Sequence, residues 1–171
     1  MKTALIAGLV LAIPAAGARA DDRPRLHLSG AVGFGVESVE STNLGVAVGY
    51  SVIPHVSLGA DLSYSYLPLG PYARGGGNRA YWGLATITVT PLPSAKVSPY
   101  LVLGYGIGRH VDSSRQGELG RAAAGGAGLQ VRLGDRANLF LEGRFGLMDG
   151  ITAADGLHME LPVRAGVRVG L

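Results

Sequence analysis

From Leu26 onward, large apolar residues alternate with small or polar ones. Leu26, Leu28, Val32, Phe34 and Val36 are separated by His27, Ser29, Ala31, Gly33 and Gly35. Leu44, Val46, Val48, Tyr50 and Val52 alternate with Gly45, Ala47, Gly49 and Ser51, and Val56, Leu58, Ala60, Leu62, Tyr64 and Tyr66 with Ser57, Gly59, Asp61, Ser63 and Ser65. A period of two places each set on one face of a β-strand. The pattern runs on through residues 79–90, where Trp82 and Leu84 contest the phase set by Ile87 and Val89. It returns at 100–109, is diluted by Ala and Gly at 122–133, and is clear at 138–147 and 161–171. Eight segments of about 10 to 13 residues result, the length a tilted membrane-crossing strand requires.

The connections alternate as well. Those at 53–54, 91–97 and 134–136 are tight and carry Pro, Gly or Asp, the residues that turns favour. Those at 37–41, 67–78, 110–120 and 148–160 are more polar and mostly longer. Short turns at one end and longer loops at the other predict an all-β fold, an eight-stranded antiparallel up-and-down transmembrane β-barrel.

A soluble barrel also alternates, so the two faces must be compared. In the strands of clear phase, the bulky face is Leu, Val, Ile, Phe or Tyr except at Gly30, Ala60, Gly143 and Ala165. The opposite face is mostly Gly, Ala and Ser, with charges at Asp61, Glu142, Arg144, Arg164 and Arg168. Such a face makes a poor wet exterior, and its glycines weaken strands without compensation. Turned inward, it lets eight strands close tightly around a few charges, while the bulky face meets lipid. Closure also satisfies every backbone N–H and C=O, as hydrocarbon demands. Composition agrees: of 171 residues 28 are Gly, 47% are hydrophobic and only 16% are charged, too glycine-rich for a helical protein and too apolar for a disordered one. With no cysteine there is no disulfide framework and no thiolate metal site.

Residues 1–20 form a separate segment. Lys2 supplies a positive start, residues 4–13 an apolar stretch, and Ala18-Arg19-Ala20 a small-x-small cleavage site before Asp21. This predicts a secretory signal peptide at 1–20 and a barrel domain at 21–171. Removing Lys2 and Arg19 takes the 15 basic residues to 13 against 12 acidic ones, so the mature chain is nearly neutral. Neither its charge nor its export suits a nucleic-acid partner.

Three stretches look familiar. Pro99-Tyr100-Leu101-Val102-Leu103-Gly104-Tyr105-Gly106 resembles a fifth barrel strand, and Gly125 to Leu133, the turn Gly134-Asp135-Arg136 and Leu139 to Phe145 resemble a sixth strand, turn and seventh strand. By these motifs residues 25–171 resemble the small OmpA/OmpX-like outer-membrane β-barrel family, whose members are grouped as porin-like. The end of the chain resembles that family's assembly signal at Gly166, Val169 and Leu171, departing from it by closing on Leu rather than Phe. The resemblance implies the outer membrane of a Gram-negative bacterium, reached through the barrel-assembly machinery. It also implies outer-membrane lipids and lipopolysaccharide as surroundings, a monomer, and no cofactor.

Candidate chemistry lies mainly inside. Arg25 and His27 in the first segment, Glu142 and Arg144 in the seventh, and Arg164 and Arg168 in the eighth would neighbour one another once the barrel closes, with Asp61 and Arg132 completing a lumen charge network. Charges in low dielectric must pair or cost several kcal/mol each. The network therefore reads either as a salt-bridge plug or as a gated ion path, and the plug is the plainer reading. Phe34, Tyr64, Tyr66, Tyr105 and Phe145 fall toward the loop end as an aromatic girdle. His27-x-Ser29 has the residue types of a hydrolase base and nucleophile, but on the inward face. His55, His110 and His158 are expected in turns or loops without metal-ligand spacing, so no catalytic, cofactor or metal residues are assigned. Gly104-x-Gly106-x-Gly108 alternates through a strand and is no phosphate cradle, and residues 74–79 form a loop open to anionic lipopolysaccharide. The sequence thus favours a non-catalytic structural or surface-interaction protein. A small pore or conduit for ions or hydrophobic molecules comes next, then a lipid A-modifying barrel enzyme.

Overall fold

The computed structural model describes residues 26–35, 38–67, 78–111, 116–149 and 158–171. Residues 1–20, expected as a signal peptide, Arg25 and most of the expected loop at 74–79 lie outside them. The strands are β1 (Leu26–Gly35), β2 (Ser38–Ile53), β3 (Val56–Leu67), β4 (Asn78–Val89), β5 (Val97–Val111), β6 (Gln116–Arg132), β7 (Ala137–Met148), β8 (His158–Glu160) and β9 (Pro162–Gly170). Strands β1 to β7 pair antiparallel in chain order, β8 and β9 both pair antiparallel with β7, and β9 closes the sheet on β1. The result is the expected eight-stranded up-and-down barrel. β8 and β9 are one stave: both follow the same register against β7, with the ladder broken around Leu161 and Pro162. Proline has no N–H to give to a ladder.

Outward positions repeat the bulky set. Leu28, Val32, Val46, Leu62, Leu103 and Leu141 are all exposed on the outer wall, where a membrane barrel meets lipid. In β4 the contested phase goes to Ile87, which is exposed, while Trp82 and Leu84 turn inward and are buried. The strand has one phase throughout, with large residues on both of its faces because its inner one fills the lumen.

Crossing the ladders from Ser29 through Ala47, Asp61, Leu84, Gly106, Ala122, Met148 and His158, and continuing the β9–β1 register, returns to β1 ten positions further on. That stagger tilts the staves and sets a narrow bore, one that side chains fill. Space is shared between unlike neighbours. A Cβ on Gly128 would stand 2.6 Å from the Tyr100 ring, one on Gly166 2.6 Å from the Phe140 ring, and one on Gly146 3.0 Å from Trp82. Glycine on one stave makes room for a large side chain from another.

Strands enter three of the expected loops. β2 begins at Ser38, inside the expected first loop, and the Gly35 amide donates to Ser41 Oγ at 2.5 Å across a bulge. β5 and β6 pair as far as Val111 and Gln116, so their hairpin runs past the apolar zone. Ladder hydrogen bonds join backbones, and polar side chains do not stop them. His110 and His158 consequently lie in β5 and β8, not in loops, whereas His55 occupies the β2–β3 turn.

The face assignment predicts unequal tolerance at adjacent positions. Leu103→Arg should cost about 2–4 kcal/mol if it lies near the membrane midplane. Val102→Thr, buried beside Thr86 and Thr88 in the lumen, should cost clearly less. Urea titrations of the two variants refolded into vesicles measure both, and equal losses would contradict the assignment.

Candidate functional site

Strand phase alone sends Asp61, Glu142, Arg144 and Arg164 inward, and the register brings them together. Glu142 and Arg164 are cross-strand partners on β7 and β9, and Arg144 lies two residues along the same face of β7. Asp61 reaches them from β3 across the bore. Arg164 Nη2 binds Glu142 Oε1 at 2.7 Å and Asp61 Oδ2 at 3.2 Å. Arg144 Nη2 binds Asp61 Oδ2 at 2.9 Å, and Arg144 Nε donates to Glu142 Oε1. Two carboxylates and two guanidinium groups thus form a closed, charge-neutral ring. Tyr100 donates its hydroxyl to Glu142 Oε2 at 2.9 Å. Asp61, Glu142 and Arg164 are each at most 3% exposed.

Other members of the expected network lie apart from this ring. Arg168 makes no direct contact with a carboxylate among the described residues. Its guanidinium stacks 5.5 Å from the Tyr100 ring centroid and 5.7 Å from that of Phe140, and donates to Gln130 Oε1 at 3.0 Å. Aromatic faces and an amide replace the expected anion. Arg132 donates to the Pro93 carbonyl and ties β6 to the turn before β5, a bond at the mouth and not in the network. His27 faces inward beside Gly49, and Ser29 Oγ lies 3.4 Å from the Ala47 carbonyl. Arg25 lies outside the described residues.

Above the ring, toward the loops, the bore is packed in two ways. On one side Ala80, Trp82, Leu84, Ala122 and Met148 form a buried apolar cluster. On the other, Asn43 donates to Ser65 Oγ at 2.9 Å and Ser65 donates to Glu160 Oε2 at 2.7 Å. The Ser65 hydroxyl donates its hydrogen bond to a carboxylate and not to an imidazole, as the serine of a hydrolase triad does. A cavity of about 40 Å³ extends from the underside of the ring, where it touches Asp61, Glu142, Arg144 and Arg164, down to His27, Ser29, Thr86 and Thr88, room for one or a few waters. Among the described residues no group of three metal-ligating side chains converges.

The sequence named the ring's four members but not its shape. The apolar cluster was hidden because Trp82 and Leu84 read as a rival phase. The glycines on facing strands at Gly104, Gly108 and Gly146, all within contact of Leu84, Met148 or Trp82, were the signal that could have assigned them.

Outside, Phe34, Tyr105 and Phe145 are exposed, and Tyr64 and Tyr66 are half-buried on the same face. Tyr81 joins them unforeseen, its ring centroid 5.2 Å from that of Tyr64. With the stagger shared evenly among the staves, these six rings fall within about four residues of one level. At the end of the chain, Gly166 accommodates Phe140 and the β1 backbone, Val169 faces outward, and the Leu171 amide donates to the Leu26 carbonyl at 2.9 Å.

No protein-family model matches the sequence, and no curated protein is significantly similar to it. Solved structures are. The chain is similar to neisserial surface protein A, with a TM-score of 0.64, 14% identity, and 85% of this chain and 94% of that one covered. It is similar to the N-terminal β-barrel domain of Pseudomonas aeruginosa OprF, with a TM-score of 0.55, 17% identity and coverage of 86% and 97%. It is as similar to the outer membrane enzyme PagL, with a TM-score of 0.55, 14% identity and coverage of 85% and 99%. Equal likeness to an enzyme and to another protein's barrel domain leaves function to the site. The chain has the fold of the small eight-stranded outer-membrane β-barrels.

Proposed function

We propose that this chain is a non-catalytic outer-membrane barrel, exported by a cleaved signal peptide, whose blocked lumen makes it a rigid scaffold for surface contacts. The ring joining Asp61, Arg164, Glu142 and Arg144 across the bore carries the reading. A conducting path would have to part these ion pairs in a low-dielectric interior, and the apolar packing around Trp82 lies along the same route. Ladders join every neighbouring pair of staves, which disfavours a lateral conduit for hydrophobic molecules. A lipid-modifying enzyme is disfavoured too, because His27 and Ser29 face the lumen at the turn end. In the proposed role the barrel works as a monomer among outer-membrane lipids and lipopolysaccharide, placed there by the assembly machinery.

Two measurements test the plug. The refolded wild-type barrel should show no steady ionic conductance in planar bilayers, and a stable open channel would contradict the proposal. Glu142→Gln removes one of two carboxylates from two buried guanidinium groups. Breaking a buried pair typically costs about 3–5 kcal/mol, so the variant should unfold at lower urea, and adding Arg164→Gln should recover part of the loss. A variant of unchanged stability but altered conductance would mean that water screens these charges.

A further inference from the structure

The outer wall holds an arrangement that the plugged lumen does not use. Arg79 on β4, Arg109 on β5 and Arg121 on β6 share the outward phase of three consecutive staves, and all are exposed. Arg79 lies opposite Val111, Arg109 between Tyr81 and Leu119, and Arg121 opposite Ile107. Each arginine is therefore a diagonal neighbour of the next, roughly 7–8 Å away along the wall. Arg121 also binds Asp149 at 3.0 Å, an exposed pair that leaves its guanidinium open to solvent.

Just below, toward the middle of the barrel, Tyr64 and Tyr81 stand in contact. A shallow apolar depression of about 800 Å³ runs obliquely round the outer wall from Leu119 on β6 to Gly30 and Val32 on β1; Leu62, Tyr64, Tyr81 and Ile107 flank Gly83 within it, and Arg109 stands at its upper edge. A Cβ on Gly83 would stand 3.5 Å from Leu62 Cδ2 and 3.9 Å from Ile107 Cγ1. Barrel packing therefore does not require glycine there, and its absence of a side chain leaves the depression open. An apolar depression below, aromatic rings at the boundary and clustered guanidinium groups above match the three layers of a lipid in order: acyl chain, interface and phosphate. Cations spread over three staves reach further than one phosphate needs.

We propose that this wall binds a multiply phosphorylated, multiply acylated lipid of the outer leaflet, with its phosphates on Arg79, Arg109 and Arg121 and one acyl chain over Gly83. This rests on the proposed function only for placement in the outer membrane.

The test offers bisphosphorylated lipid A, its dephosphorylated form, or phosphatidylglycerol to the full mature chain refolded in phosphatidylcholine vesicles. Lipid retained per barrel is read by native mass spectrometry after transfer to detergent. The wild type should hold the bisphosphorylated lipid and release the other two. Replacing all three arginines with Gln should weaken retention about 100-fold. Gly83→Leu, which occupies the floor of the depression between Leu62 and Ile107, should also lower retention while leaving the folded-barrel gel mobility unchanged. Lys96→Gln with Arg136→Gln, at the turn end, should behave as wild type. Equal retention of all three lipids by the wild type, or undiminished retention by a folded triple variant, would overturn the site. Conductance is read separately, so failure here leaves the reading of the lumen standing, and a conducting lumen leaves the lipid site standing.

Discussion

Ionised groups inside a closed barrel have almost no water to return to, so they must satisfy one another. The structure meets that constraint with the ring of Asp61, Arg164, Glu142 and Arg144. Two staves on one side, β7 and β9, supply three members and β3 on the other supplies the fourth. The ring therefore acts as a cross-brace between opposite walls. Arg144 and Arg164 each touch both carboxylates, so no member depends on a single partner. Tyr100 adds a hydroxyl to Glu142, and its ring then supports Arg168, passing order from the charged layer to the layer below.

The abundance of glycine follows from the same constraint. A bore wide enough for water would leave the charges hydrated and the staves loosely coupled. A narrow one needs large side chains to face small ones, as Tyr100 faces Gly128 and Phe140 faces Gly166. Glycine in a strand lowers its intrinsic stability, and the close packing it permits offsets that loss. The exterior obeys a different rule. Lipid provides no shaped partner, so branched and aromatic residues of any fitting size serve there, and variation such as that at Gly30 or Gly143 leaves open space without strain.

Much of this was legible in the sequence, because period-two alternation reports strand faces directly. The staves, their antiparallel order and the identity of the lipid face all followed from it. So did the inward aim of Asp61, Glu142, Arg144 and Arg164. What alternation does not report is distance across the bore. Asp61 is remote in sequence from Arg164 and shares no strand pair with it, so their contact depends on the stagger of the closed sheet. Arg168 was grouped with the ionic network because its charge was visible, while the facing rings of Tyr100 and Phe140 were ordinary inward residues. Trp82 and Leu84 broke the expected pattern for a related reason: a filled lumen puts large residues on the face where small ones are the rule. The extra length of β5 and β6 was hidden because backbone pairing there continues under polar side chains.

The central claim is that the charges bridge opposite walls of the bore in direct, water-poor contact. A double-mutant cycle on Asp61→Asn and Arg164→Gln tests it most directly, with unfolding free energies of the refolded barrel measured in vesicles. The account predicts that the double variant is much more stable than the sum of the single losses implies, with a coupling of about 1–3 kcal/mol, as for residues sharing one buried network. Additive losses within about 0.5 kcal/mol would contradict it, showing that the two walls are not joined through these side chains.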